Sequence, residues 1–384
     1  MNLRKFGVVL LALLLAAMAV VPIASAAESV KDVVADNAGR DEIPVQLPQL
    51  QYNINQNTVM VGNDLSPDEN VQNDQIIQTS KAIQNPTISK IPYGSIIQHS
   101  KNGMTSVFDS TGKQLLITDD ANAKRIAAPG GYKAASKIHQ VPNGSIIRTN
   151  GEITTVDSDG RRILTVLNPD NPLILPGYDG WIESSRDLTV SELGQFIAYW
   201  TVPSSPPTPQ TDTTDFLFNG IQPSSSGGIV QPVLEWNQAG SGRWTGRAWY
   251  VDQYGVGYPS NPINVNVGDS IAGTLGWNPN IQHWNIIFAD QTTGQSMSIV
   301  SENAANIGST NLQMYTALEG YGVDDNSDVP GHTTFNNMRI RDVNLNVVDI
   351  DWVKLVEYDP HNALTNLDVT WTSDTQVTLH TANA

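Results

Sequence analysis

The chain has 384 residues, no cysteine and a formal net charge of -17. That length suits two folded units of ordinary size, each able to bury a core without covalent staples. The missing cysteines exclude thiol catalysis, thiolate-bound zinc and disulfides. An acidic surface of this kind repels nucleic-acid phosphates and anionic membranes. The charge is uneven. From Asn171 onward there are 22 Asp and Glu against 6 Lys and Arg, whereas the part before is nearly balanced.

The chain opens as an export leader. Arg4 and Lys5 precede an apolar run from Val8 to Val21, followed by Ala24-Ser25-Ala26, a small-x-small cleavage site. Residues 1–26 are therefore expected to be a removable signal peptide and the mature protein to be extracellular. Residues 27–80 are polar, rich in Asn, Gln and Asp and weakly periodic, as in disordered segments. A repeat follows within residues 81–169. Ile91-Pro92-Tyr93-Gly94-Ser95-Ile96-Ile97 is echoed by Val141-Pro142-Asn143-Gly144-Ser145-Ile146-Ile147, and Asp109-Ser110-Thr111-Gly112 by Asp157-Ser158-Asp159-Gly160. Pro-x-Gly opens a turn and Asp-Ser-x-Gly closes a hairpin, so each copy reads as a small β-meander. Asn168-Pro169-Asp170-Asn171-Pro172 is a rigid polar break and the natural boundary.

Residues 170–384 read as short strands and turns. Phe196 to Val202 is one strand. Ile263, Val265 and Val267 alternate with polar residues, and Ser270 to Leu275 and Trp284 to Ala289 follow. Leu312, Met314, Thr316 and Leu318 alternate with Gln313, Tyr315, Ala317 and Glu319. Many short strands without a three-turn helical pattern imply an all-β fold, an antiparallel β-sandwich of the concanavalin or lectin-like kind.

Familiar catalytic signatures are missing. There is no His-Glu-x-x-His, no Gly-x-Ser-x-Gly and no phosphate-cradling glycine loop. No metal site or cofactor is expected. The alternation puts Gln231 and Glu235 on one face of a strand and Glu319 on a face with Tyr315 and Ala317. A carboxylate in such a face, away from bulk water, would have a raised pKa.

Ordered blocks carry a resemblance. They are Gly180-Trp181, Phe196 to Ser204, Asn219-Gly220-Ile221, Gly228-Ile229-Val230-Gln231 leading to Glu235-Trp236, Arg247-Ala248-Trp249-Tyr250, Val267 to Ile271, Thr292 to Ser296, and Ala317-Leu318-Glu319-Gly320-Tyr321. In order and spacing they resemble the eqolisin-type glutamic peptidases, of which scytalidoglutamic peptidase is one. The resemblance implies a secreted, acid-acting endopeptidase. Carried over by position, it makes Gln231 and Glu319 a catalytic dyad and implies substrate contacts at Trp249, Glu235, Phe218 and Tyr315. It implies protein or peptide substrates, no metal and a monomer. The chain departs from the family in its repeat module, in its lack of disulfides, at Val251-Asp252 after Ala-Trp-Tyr, and at Phe218.

Two other readings stand beside it. One is a sugar-binding sandwich, with Trp236, Trp244, Trp249, Trp277 and Trp284 as a platform. The other is a neprosin-like prolyl endopeptidase, in which Glu235 or Glu302 would supply a second carboxylate. For the peptidase readings, residues 27–169 are expected to be a removable inhibitory pro-region. Between Lys81 and Arg162 lie 11 of the 15 basic residues before the break, which suggests a clamp of ion pairs onto the acidic sandwich.

Overall fold

The computed structural model of the chain describes residues 91–149, 153–167, 180–224, 228–302, 307–356 and 364–383. The leader, the polar segment 27–80 and the break at 168–172 lie outside these. The described residues of Gln51–Asp157 and Arg162–Ala384 belong to one compact unit, from which the turn Ser158–Arg161 is set apart.

The fold is all-β, as the alternation implied. Two sheets form the sandwich. In the larger, the strands Thr333–Arg341, Gln195–Thr201, Ser270–Asn278, His283–Asp290 and Ser296–Glu302 are antiparallel neighbours in that order. In the smaller, Trp244–Val251, Ile229–Trp236, Thr214–Pro223, Thr310–Tyr321 and Trp181–Glu192 lie side by side, with Gly257–Pro259 and Val353–Val356 at the edges. The Ile263, Val265, Val267 alternation gives only a two-residue strand, Ile263–Asn264, and Val267 is exposed.

Period-two patterning sets the core. On the smaller sheet Val230, Leu234, Leu217, Ile221, Ala248, Tyr250, Met314 and Leu318 face the larger sheet, where they meet Trp200, Ile271, Ile286 and Phe288. Gly246 permits this approach, because a Cβ there would sit 1.9 Å from a Phe288 ring carbon.

The two repeats fold as the meanders their turns imply. Ser95–His99, Met104–Phe108 and Gln114–Asp119 form one; Ser145–Thr149, Ile153–Val156 and Arg162–Leu167 form the other. Their placement was not legible in the sequence. Ser95–His99 pairs in parallel with Arg162–Leu167, and Ser145–Thr149 pairs in parallel with Ser296–Glu302. The meanders thereby extend the larger sheet to 13 strands. Between them a short hairpin, Arg125–Ala128 with Gly131–Ala134, leaves the sheet altogether. No helix among the described residues is long and apolar enough to cross a membrane.

Candidate active site

The smaller sheet has a second face, turned away from the larger one. The odd-numbered residues of Ile229–Trp236 point there, with Phe216, Phe218, Trp249, Val251, Tyr315, Ala317, Tyr321 and Trp181. The outer face of a sandwich usually meets water, yet Phe216, Phe218, Trp249 and Tyr315 are wholly buried. The hairpin covers them. Ala127 and Ala128, with Ile138 just beyond it, join the same apolar cluster. The segment after the hairpin is tied down by main-chain bonds, His139 N–H to the Gly257 carbonyl and Val141 N–H to the Pro259 carbonyl, each 2.8 Å.

Glu319 lies under the hairpin's tip. The Gly130 N–H donates to Glu319 Oε1 at 2.9 Å, and the Tyr321 hydroxyl donates to the same oxygen. Burial pushes the carboxyl up to about 8, offset in part by Tyr321, Gly130, Lys133 and Gly131. Lys133, on the hairpin's second strand, is 7% exposed; burial lowers its ammonium to about 8 despite Glu319 and Asp252 nearby. Gly180 holds Tyr321 in place by what it lacks. Its φ is +90°, and a Cβ would lie 2.6 Å from the Tyr321 ring.

Gln231 is also wholly buried on this face, and among the described residues neither atom of its amide has a partner. Gln231 makes no hydrogen bond to Glu319 in this form. Register explains why. Gln231 pairs with Trp249, and one strand over Gly220 pairs with Tyr315; Glu319 pairs with Phe216, which pairs with Glu235. The row of Gln231 and the row of Glu319 are four residues apart, about 13 Å along the strands.

The other expected contact residues share the face. Trp249 Nε1 donates to Glu235 Oε1 at 2.6 Å, while Thr245 Oγ1 and Arg247 Nε donate to Oε2 at 3.1 and 2.9 Å. Burial raises the Glu235 pKa and Arg247 opposes the shift. Phe218 and Tyr315 both pack edge-on to Trp181. Glu302 belongs to a strand of the larger sheet, not to this layer. Asp252 accepts from the Tyr254 and Val256 amides and closes a turn. The supposed tryptophan platform is not one. Trp236, Trp244 and Trp284 are buried between the sheets with Trp277 packed against them, and only Trp249 is on the outer face.

Three participants were missed from sequence: the Ala127-Ala128-Pro129-Gly130-Gly131 tip, Lys133 and Tyr321. A Pro-Gly-Gly turn between two small-residue stretches was the available signal for the first. Among the described residues no group of three or more His, Asp or Glu is placed to hold a metal ion.

No family model matches the chain, and no curated protein matches it. Solved structures do. A scytalido-glutamic peptidase bound to a transition state analog inhibitor is similar over 53% of this chain and 98% of its own, at 17% identity and a TM-score of 0.40. SCP-B, an eqolisin-family peptidase in complex with the tripeptide Ala-Ile-His, covers the same shares at 17% identity and a TM-score of 0.38. The aspergilloglutamic peptidase of Aspergillus niger is similar over 44% of this chain and 99% of its own, at 19% identity and a TM-score of 0.29.

Proposed function

We propose that the chain is an exported, acid-acting endopeptidase whose proton-transfer group is Glu319, held shut by its own residues 125–141. One observation carries the reading: the face bearing Glu319 already holds a polypeptide, with a main-chain N–H donated to that carboxyl. The leader motivates export, and peptide or protein substrates follow from the occupant.

With the hairpin gone, water reaches Glu319 and its pKa falls toward the ordinary carboxylate range, where a base acts in acid. A water takes the place of the Gly130 N–H. Glu319 accepts a proton from it as the oxygen attacks the scissile carbonyl, then returns that proton to the amine as the C–N bond breaks. Gln231 brings a fixed, uncharged amide donor to the same face, suited to a carbonyl oxygen gaining charge. In the closed form it stands too far along the strands to share a water with Glu319. The pairing therefore requires the face to rearrange as the hairpin leaves. While the hairpin is in place, Glu319 is kept protonated and the water's position is filled.

A second carboxylate is the alternative, since Glu235 and Glu319 do share a cross-strand row. Phe216 stands between them, and both oxygens of Glu235 are already engaged. The sugar-binding reading loses its platform with four of the five tryptophans inside the sandwich or against its core.

The test is digestion of a denatured protein at pH 2 to 5 by acid-treated full-length chain. Glu319→Gln should abolish turnover, because an amide cannot take up and return a proton. Gln231→Ala should reduce it on the order of 100-fold, the usual cost of one such donor, and Glu235→Gln far less. Wild-type rates in both the Glu319 and Gln231 variants would refute the dyad. A loss confined to Glu319 and Glu235 would favour two carboxylates.

A further inference from the structure

Gln238 lies two residues beyond the end of the strand Ile229–Trp236, and neither its place in the sequence nor the resemblance marked it. Its amide reaches the covered face. Nε2 donates to the Ala127 carbonyl at 3.1 Å, three residues before the Gly130 whose N–H meets Glu319. Its Oε1 is buried and, among the described residues, has no partner. The side chain is 8% exposed.

The turn that presents this amide is built at a cost. Asn237 and Ala239, on either side of Gln238, have φ of 53° and 56°. Asparagine tolerates the left-handed region, but alanine is strained there, and such a residue persists only where the surroundings enforce it. Here they do. Asn237 Nδ2 donates to the Thr213 carbonyl at 2.8 Å and to the Thr211 carbonyl at 3.2 Å, and Asn237 Oδ1 accepts from the Gly242 amide at 2.7 Å. A neutral amide, fixed by a strained and tethered turn and half unsatisfied, is arranged to meet a main-chain group.

We propose that Gln238 is a substrate-binding residue that holds the main-chain carbonyl of a bound peptide on the face bearing Glu319, and that Ala127 occupies this position in the closed form. The inference rests on the peptidase reading for its substrate, but not for the contact. The bond is made to a carbonyl and not to a side chain, so it recognises peptide without regard to sequence. The alanine side chains on the covering strand, packed among Phe216, Phe218 and Tyr321, favour small residues beside it.

Two readouts test it. In the full-length protein at pH 7, amide hydrogen exchange at Ala128 and Gly130 should speed about tenfold in Gln238→Ala and in the isosteric Gln238→Glu. Below pH 5 the carboxyl introduced by Gln238→Glu protonates and can donate again, so the defect relative to wild type should shrink in that variant alone. In the acid-treated enzyme, Gln238→Ala should raise KM about tenfold with kcat within twofold. Unchanged exchange overturns the contact. Faster exchange with unchanged KM overturns the substrate role and leaves a residue that serves only the hairpin. If the wild type digests nothing, the peptidase reading fails, and the exchange experiment alone decides whether Gln238 holds a main-chain carbonyl.

Discussion

Burial keeps the Glu319 carboxyl protonated to about pH 8, against an ordinary value of 4.5. The consequence for stability has a definite sign. Between those values the folded chain holds a proton that the unfolded chain has lost. Stability from this group is therefore full below pH 4.5 and declines as pH rises toward 8. Asp252, pushed by burial to about 7, acts in the same direction. Glu319→Gln cannot ionise, so it should remove part of the decline, on the order of 3 kcal/mol. Urea unfolding of the full-length chain at pH 5 and pH 8 measures this. An equal decline in both proteins would show that Glu319 is not protonated in the closed form.

The segment that carries the hairpin has the opposite pH dependence. His99, at the end of Ser95–His99, and His139, next to the Gly257 contact, face each other with Nε2 atoms 3.5 Å apart. Burial lowers His139 to about 4; burial, then His139 and Lys137, hold His99 well below its ordinary range. The Tyr258 ring packs against His139, and Thr105 links His99 Nδ1 to Asp120. The folded form binds fewer protons than the unfolded one below pH 6.5, so stability present above that pH is lost as it falls toward 4. Acid thus loosens the strap while favouring the buried carboxyls of the sandwich. His139→Gln should keep amide protection in residues 138–141 at pH 3.5, where the wild type loses it. Equal protection in the two proteins would mean that the histidine pair senses nothing.

At the scale of the whole chain, the meanders and the sandwich share a sheet. The contacts across their junction include parallel strand pairing, backbone bonds at Gly257 and Pro259, polar side chains such as Gln140 on Asn261, and apolar packing. Exposed ion pairs of the kind the charge imbalance suggested are individually weak, so these contacts matter more for holding the two parts together. A shared sheet has a further consequence for maturation. Cutting the chain within residues 168–179 should leave the two parts associated at pH 7 and separable only in acid. Size-exclusion chromatography of the nicked protein at pH 7 and pH 4, with activity followed in parallel, checks this. One intact, fully active species at pH 4 would make the meanders a permanent accessory.

The strands, the two meanders, the common face of Gln231 and Glu235 and that of Glu319 with Tyr315 and Ala317 were legible in the sequence because they depend on period two and on local turn chemistry. Alternation says which residues look the same way, and Pro-x-Gly says where a strand begins. What alternation cannot give is register. The four-residue offset between Gln231 and Glu319 depends on how Ile229–Trp236, Thr214–Pro223 and Thr310–Tyr321 slide against one another, and that is settled by packing on the larger sheet. Nor can it say what covers a face. Gly130 meets Glu319 across 189 residues of sequence, a contact that exists only because parallel pairing docks the meanders beside Ser296–Glu302. Composition determined an acidic, cysteine-free protein, and alternation made it a β protein. Tertiary structure alone decided that the apolar outer face of the smaller sheet is filled by its own chain.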